Sequence, residues 1–181
     1  SSGSPYDEGF RYFLRLANTS TSSSTASQAT IQYRIEAQDL AQSGWNYKSS
    51  SSYATFSFWA RSSLAGTYYI SYRNIDANPL TYNASFTLAA DTWTKVTQTI
   101  PGNSNVVFNN DNGEGIRLTF GIHFGTDNTG SNSQLNAWHD RVGNDYFPDF
   151  AQNWSNTSSA TFDVTGVQLE VGEVATAFEH R

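Results

Sequence analysis

The segment at residues 162–171 constrains the fold of this chain more than any other part. Apolar and polar residues alternate up to Val164, and the alternation resumes one residue out of step at Val167, just after Gly166. A half-buried strand has a period of two residues, so a slip of one residue at a glycine predicts a β-bulge. A long, bulged strand of this kind belongs in a curved antiparallel sheet.

The same alternation recurs along the rest of the chain, most clearly at residues 116–124, and segments rich in Ser, Asn and Gly separate the runs. The predicted strands lie near residues 10–16, 31–35, 54–61, 68–73, 82–88, 93–100, 116–124, 162–171 and 175–178. About nine short strands separated by turn-forming segments predict an all-β fold, an antiparallel two-sheet jelly-roll sandwich. One helical turn is expected near residues 39–44.

Residues 125–160 interrupt the alternation but are rich in aromatic side chains. Loops longer than about 15 residues are usually functional or disordered. Disordered segments have low hydrophobicity, which does not describe this one. We therefore expect one long, ordered, aromatic-rich loop with its own small apolar cluster.

The length of 181 residues fits a single domain covering residues 1–181. Its first four residues, SSGS, have the composition of a linker or tag remnant, and the chain contains no methionine to serve as a native start. We expect the domain to be excised from a longer protein.

Charge and composition exclude several classes of function. The net charge is −6 with only two lysines and no basic run, which argues against nucleic-acid binding. No apolar stretch is long enough to insert into a membrane. Because cysteine is absent, disulfides, thiol catalysis and cysteine-ligated zinc are impossible.

The polar faces of the strands and the long loop hold the candidate carbohydrate-binding residues. If Phe58 points into the core, alternation directs Trp59 outward, and Arg73 and Arg117 likewise lie on outer faces. A flat ring can stack on a sugar while arginine binds its hydroxyls; alternatively, the loop or another subunit covers the ring. The long loop adds three candidate rings: Trp138, Tyr146 and Trp154.

Two further chemistries rest on acidic residues. Asp140 and Asp145 in the long loop could form the carboxylate pair of a polysaccharide depolymerase, although solvated loop acids are by far the commoner explanation. Oxygen ligands of the kind calcium prefers occur at turns and strand ends, where a tight turn is the alternative explanation. The candidate calcium ligands are Asp111, Glu114, Glu36 and Glu170. No other metal or cofactor is expected.

Seven segments in a fixed order carry a family resemblance. They are IEAQDL (35–40), SFWARSSLAGTY (57–68), YRN (72–74), DTWTKVTQTIPG (91–102), DNGEGIRLTFGI (111–122), AW (137–138) and TFDVTGVQLEVGEVATAFEHR (161–181). In this succession the chain resembles, over nearly its full length, a jelly-roll domain that recurs in bacteriophage tail fibre and tail spike proteins.

The resemblance implies a carbohydrate-binding-module-like jelly roll near the distal end of a virion tail. Such a domain is expected to be non-catalytic and to bind a bacterial cell-surface glycan at the host surface. A structural role is the alternative, as a trimerisation, capping or virion decoration module that contacts other tail subunits, including a homotrimer.

Overall fold

The computed structural model describes residues 3–76 and 79–180, so Ser1 and Ser2 of the predicted linker lie outside it. Besides a single 3₁₀ turn at Thr126–Asn128, this part of the chain contains nine β-strands and one short α-helix. In chain order they are β1 (Leu14–Ala17), β2 (Gln28–Glu36), α1 (Ala37–Ala41), β3 (Tyr53–Ser62), β4 (Gly66–Asn74), β5 (Leu80–Leu88), β6 (Thr94–Pro101), β7 (Glu114–Phe124), β8 (Trp138–Asp140) and β9 (Thr161–Val171).

The strands form two antiparallel sheets. One has four strands in the order β1-β9-β3-β6, and the other has five in the order β2-β7-β4-β5-β8. Without β8, these are the two four-stranded sheets of a jelly roll. The predicted all-β jelly-roll sandwich is therefore confirmed. Among the described residues, no helix is long and apolar enough to span a membrane.

The core lies between the sheets and is strongly aromatic. Phe56 and Phe58 of β3 project from the four-stranded sheet and are fully buried. Phe120 of β7 meets them from the other sheet, with its ring centroid 5.0 Å from that of Phe58. Burying each such side chain contributes about 1.5–3 kcal/mol, so this layer holds the sheets together. The inward orientation of these residues agrees with the alternation.

The predicted bulge at Gly166 is present. The β3–β9 pairing shifts by one residue between Ser57 and Trp59, which leaves one extra residue on β9. Gly166 has a φ of 61°, and a Cβ there would lie 2.6 Å from the ring of Phe10. Both the left-handed backbone and the close contact require glycine.

The ends of the chain differ from the predicted strands. The first strand starts only at Leu14, and residues 175–178 form no strand. Instead, the Phe178 ring packs 4.7 Å from that of Phe10, and the His180 ring nitrogen Nε2 lies 2.8 Å from the Glu8 carbonyl oxygen. The two terminal segments therefore lie side by side. The ninth strand is β8, inside the long loop.

The long loop is ordered around an apolar cluster, as predicted. We call this group of rings, which includes two residues from the strands, the loop cluster; its members are Tyr69, Phe124, Tyr146, Phe147 and Phe150. The cluster packs on the outer face of the five-stranded sheet, where a Cβ on Gly121 would come within 2.7 Å of the Phe147 ring. The loop thus covers one end of this face and leaves the other end open.

Candidate functional site

Three arginines lie side by side on the open part of the five-stranded sheet. Arg117 of β7 is directly opposite Arg34 of β2 on one side and Arg73 of β4 on the other. Residues paired in this way place their side chains on the same face. We call this set the arginine row.

A second row of polar side chains runs parallel to the arginine row. Thr119 of β7 is opposite Gln32 on β2 and Ser71 on β4, two residues along each strand. Thr81 of β5 faces Arg73 at the end of the arginine row. These side chains form the floor of a depression of about 140 Å³, which we call the polar groove.

The long loop supplies the wall of the polar groove. The fully buried side chain of Asn83 on β5 donates a hydrogen bond to the Tyr146 carbonyl oxygen at 2.9 Å, which positions this part of the loop. The Arg141 guanidinium lies over the Tyr146 ring, 4.3 Å from its centroid. This contact aligns a fourth arginine with the groove.

One carboxylate partly neutralises these arginines. Glu114 accepts two hydrogen bonds from Arg117, at 2.6 and 2.8 Å, and lies 3.6 Å from Arg34 Nε. The hydrogen bonds from Arg117 hold the pKa of Glu114 below its usual value, against the effect of burial. Glu114 is therefore ionised and committed to these two arginines.

Arg73 is different, because no carboxylate in residues 3–76 and 79–180 forms an ion pair with it. Its Nε is buried and has no hydrogen-bond partner there, and the same is true of the facing Thr81 hydroxyl. Burial lowers the pKa of Arg73, and the charges of Arg141 and Arg117 lower it further. The floor of the groove therefore has hydrogen-bonding capacity that the described protein atoms leave unused.

Three of the six predicted carbohydrate-binding residues come together in the polar groove: Arg73, Arg117 and Tyr146. Their role in binding stays a prediction. Arg141 was not among the predicted residues, because its position depends on the course of the loop. The hydroxyls of Ser71 and Thr119 were also missed, although each lies two residues from a predicted arginine and therefore on the same face.

Trp138 lies on the core side of the five-stranded sheet, away from the groove. It pairs with Tyr82 in the β5–β8 ladder, and the two rings pack 5.6 Å apart. Its indole N–H donates to the Pro101 carbonyl oxygen at 2.7 Å. Trp138 is therefore half-buried and extends the core rather than the polar groove, and its expected role in sugar binding stays a prediction.

Trp59 and Trp154 are buried, at 2% and 3% exposure, so the expectation that their rings are available for stacking was wrong. Trp59 does lie on the outer face of its sheet, but the N-terminal segment covers it, and its indole N–H donates to Glu8 at 3.0 Å. Trp154 folds from the long loop into the main core.

The acidic candidates have protein partners. The Asp111 carboxylate accepts the Gly113 backbone N–H, and Glu170 accepts the backbone N–H and hydroxyl of Thr176. Asp145 accepts hydrogen bonds from Asn132. Within the described residues, no group of three acidic or histidine side chains is placed to hold a metal ion. Calcium binding stays a prediction.

A larger hollow of about 320 Å³ lies beyond the loop cluster. Seven of its fifteen lining residues are Ser or Thr, and His123 also lines it, with its Nε2 3.1 Å from the Ser27 hydroxyl. Burial lowers the pKa of His123, so its imidazole is neutral near pH 7. None of the predicted carbohydrate-binding residues lines this hollow.

No protein-family model matches the chain, and no curated protein matches it in sequence. Among solved structures, it is similar to one described as a Family 16 Carbohydrate Binding Module-2, with 13% sequence identity and a TM-score of 0.40. The superposition covers 89% of this chain and 77% of that one. A likeness at this level does not indicate a function, so we base the functional proposal on the polar groove.

Proposed function

We propose that this chain is a non-catalytic glycan-binding module that holds a sugar in the polar groove. The observation that carries the proposal is the pair of unpartnered polar groups on its floor, Arg73 Nε and the Thr81 hydroxyl. The large majority of buried side-chain polar atoms in native proteins have a hydrogen-bond partner. Sugar hydroxyls both donate and accept, so they would satisfy both groups at once.

The size and lining of the groove support the same conclusion. Its volume of about 140 Å³ suits one sugar unit, with the rest of the glycan outside. The floor offers hydroxyl, amide and guanidinium groups in two regular rows, and the wall offers the Arg141–Tyr146 stack. No Asp or Glu lines the groove in the described part of the chain. Glycoside hydrolysis by two carboxylates therefore has no support there, and we do not favour a depolymerase.

The test is binding to bacterial surface polysaccharides on a glycan array, with protein concentrations up to about millimolar. Tyr146→Ala removes the wall ring and the support for Arg141, and we expect it to weaken binding about fivefold or more. Tyr12→Ala is the matched control, since Tyr12 is 89% exposed and does not line the groove. An absence of binding to every polysaccharide would reject the proposal.

We further propose that the module belongs to a bacteriophage tail fibre or spike and acts extracellularly at the host surface. The support is the ordered succession of seven sequence segments described above. Fluorescently labelled protein should decorate intact bacteria of a susceptible strain and lose this binding when the surface polysaccharide is stripped. Equal labelling of stripped and intact cells would contradict this assignment.

A structural role in subunit assembly is the second candidate function, and a separate surface favours it. An apolar crevice of about 580 Å³ opens between the edge strands β1 and β2 of the two sheets, with β9 as part of its wall. Leu14, Tyr33 and Val167 at this crevice are 56%, 62% and 40% exposed. Exposed apolar surface of this kind is typical of interfaces, and a homotrimer of tail subunits is one such assembly.

Light scattering across a concentration series separates the two candidates. Assembly through the crevice predicts a trimer that Tyr33→Glu dissociates without loss of fold. Tyr12→Glu places the same charge on an exposed tyrosine outside the crevice and should leave the trimer intact. A monomer at every concentration would reject the assembly role and leave the glycan-binding proposal unaffected.

A further inference from the structure

We infer that the polar groove recognises an acidic saccharide, and that Arg73 binds the carboxylate of its sugar. This inference rests on the proposed glycan-binding function and adds the chemical class of the ligand.

The first step is the concentration of positive charge at the groove. The chain has eight arginines; three of them, Arg73, Arg117 and Arg141, line the groove, and Arg34 lies next to Arg117 in the arginine row. Glu114 forms ion pairs with Arg34 and Arg117, whereas the groove lining itself contains three arginines and, among the described residues, no acid, in a protein whose net charge is −6. Like charges directly opposite each other destabilise a sheet. An anionic ligand would remove this repulsion.

The second step is the chemistry of Arg73. Its guanidinium presents N–H groups in a planar fork that matches the two oxygens of a carboxylate. Its Nε is buried without a partner, whereas Arg117 already uses its Nε on Glu114. Burial and the neighbouring charges lower the pKa of Arg73, and a bound carboxylate would act in the opposite direction. Arg73 is therefore the arginine of the row that is available to a ligand.

The third step is the surroundings of Arg73, which suit a sugar acid better than a simple anion. Thr81 is opposite Arg73 on one side, and Ser71 lies two residues away on the same face of β4. A ring carboxylate on Arg73 would bring the neighbouring sugar hydroxyls close to these side chains. Because the net charge of the protein repels polyanions, binding would depend on the attraction between the groove arginines and the acidic sugar, and salt would weaken that attraction.

The experiment compares acidic polysaccharides with their neutral counterparts. The probes are polygalacturonate, alginate, hyaluronan and polysialic acid, each also in carboxyl-reduced form, on the same array. We expect binding to one or more acidic forms, at least tenfold weaker binding to the matching reduced form, and a similar loss with Arg73→Gln. Arg73→Lys keeps the charge but not the fork, so an intermediate loss is expected.

Arg11→Gln is the matched control, because it removes one positive charge outside the groove, where Arg11 contacts Tyr6. Circular dichroism verifies that each variant is folded; if Arg73→Gln is not, Arg141→Gln on the loop wall takes its place. Equal binding of acidic and reduced forms would overturn the acidic class but keep the glycan-binding function. Acidic binding that neither groove variant weakens would overturn the site, and no binding to either series would reject both proposals.

Discussion

Each sheet of this molecule carries a row of three charged side chains in cross-strand register on its outer face, and the two rows differ in the order of their charges. In the four-stranded sheet the row is Arg15, Asp163 and Arg61. In the five-stranded sheet it is Arg34, Arg117 and Arg73. The first row alternates positive, negative and positive charge, whereas the second is positive throughout.

In the first row, every charged side chain has an oppositely charged partner within the row. Asp163 is 1% exposed and accepts hydrogen bonds from both arginines, with nearest distances of 2.7 Å to each. Burial alone would raise the pKa of Asp163, but the bonds from Arg15 and Arg61 outweigh it and hold the pKa below its usual value. In the same geometry, the arginines of the first row are both paired with Asp163, whereas Arg73 of the second row forms no ion pair within residues 3–76 and 79–180.

The largest effect is expected from Asp163→Ala. Removing the acid leaves Arg15 and Arg61 facing each other across a gap in the sheet, which should cost roughly 3 kcal/mol of unfolding free energy. Urea unfolding measures this, and the exposed Asp39→Ala is the control, with a change within about 0.5 kcal/mol. Glycan binding by the folded protein should be unchanged. A small loss at Asp163 would show that the first row does not stabilise the fold.

Low pH should reduce the contribution of the Asp163 ion pairs to the unfolding free energy, by less than the Asp163→Ala substitution does. Because the folded pKa of Asp163 lies below the unfolded value of about 3.9, its contribution is full above that pH and is lost as the pH falls below it. Urea unfolding in a pH series should therefore give a steeper acid loss for the wild type than for Asp163→Asn. Identical slopes would mean that the ion pairs do not couple to folding.

Placing a carboxylate between the two outer arginines of the second row, as in the first row, should raise the unfolding free energy by a smaller amount than Asp163→Ala lowers it. The double variant Glu114→Gln, Arg117→Glu places a carboxylate between Arg34 and Arg73. We expect a gain of about 1 kcal/mol in unfolding free energy and a loss of binding to acidic glycans. The single variant Glu114→Gln, which leaves the positive row without its counter-charge, should lose stability. If the double variant still binds acidic glycans, the positive charge of the second row is not required for binding.

The smallest effect is expected from Arg73→Gln on stability. It removes the repulsion from Arg117 and the buried charge of Arg73, so unfolding free energy should rise by about 0.5 kcal/mol while binding falls. Arg61→Gln is the matched variant in the first row and should lower stability, because it takes a partner from Asp163. If both changes lower stability equally, the arginine row is structural.

Local alternation located eight of the nine strands, although β1 is shorter than predicted, and it gave the faces of the central strands. The bulge at Gly166 and the outward direction of Arg73 and Arg117 follow from a period of two residues, which any short segment reveals. The apolar cluster of the long loop followed from its aromatic content.

What alternation could not predict is what covers a face. Trp59 does point outward, but it is buried by a segment whose Glu8 is 51 positions away in the chain. Strand β8 is only three residues long, and its pairing with β5 is a non-local contact. That pairing turns Trp138 to the core and therefore changed the expected binding surface. Whether a distant segment buries an outward-facing side chain depends on tertiary packing, which the alternation in a single sequence does not reveal.

The meeting of the terminal segments has a practical consequence. The contacts of Phe10 with Phe178 and of Glu8 with His180 and Trp59 gather both ends of the described chain on the outer face of the four-stranded sheet. The polar groove opens on the far side, on the five-stranded sheet. A fusion partner or a surface tether attached at either end would therefore leave the groove unobstructed and directed toward solution.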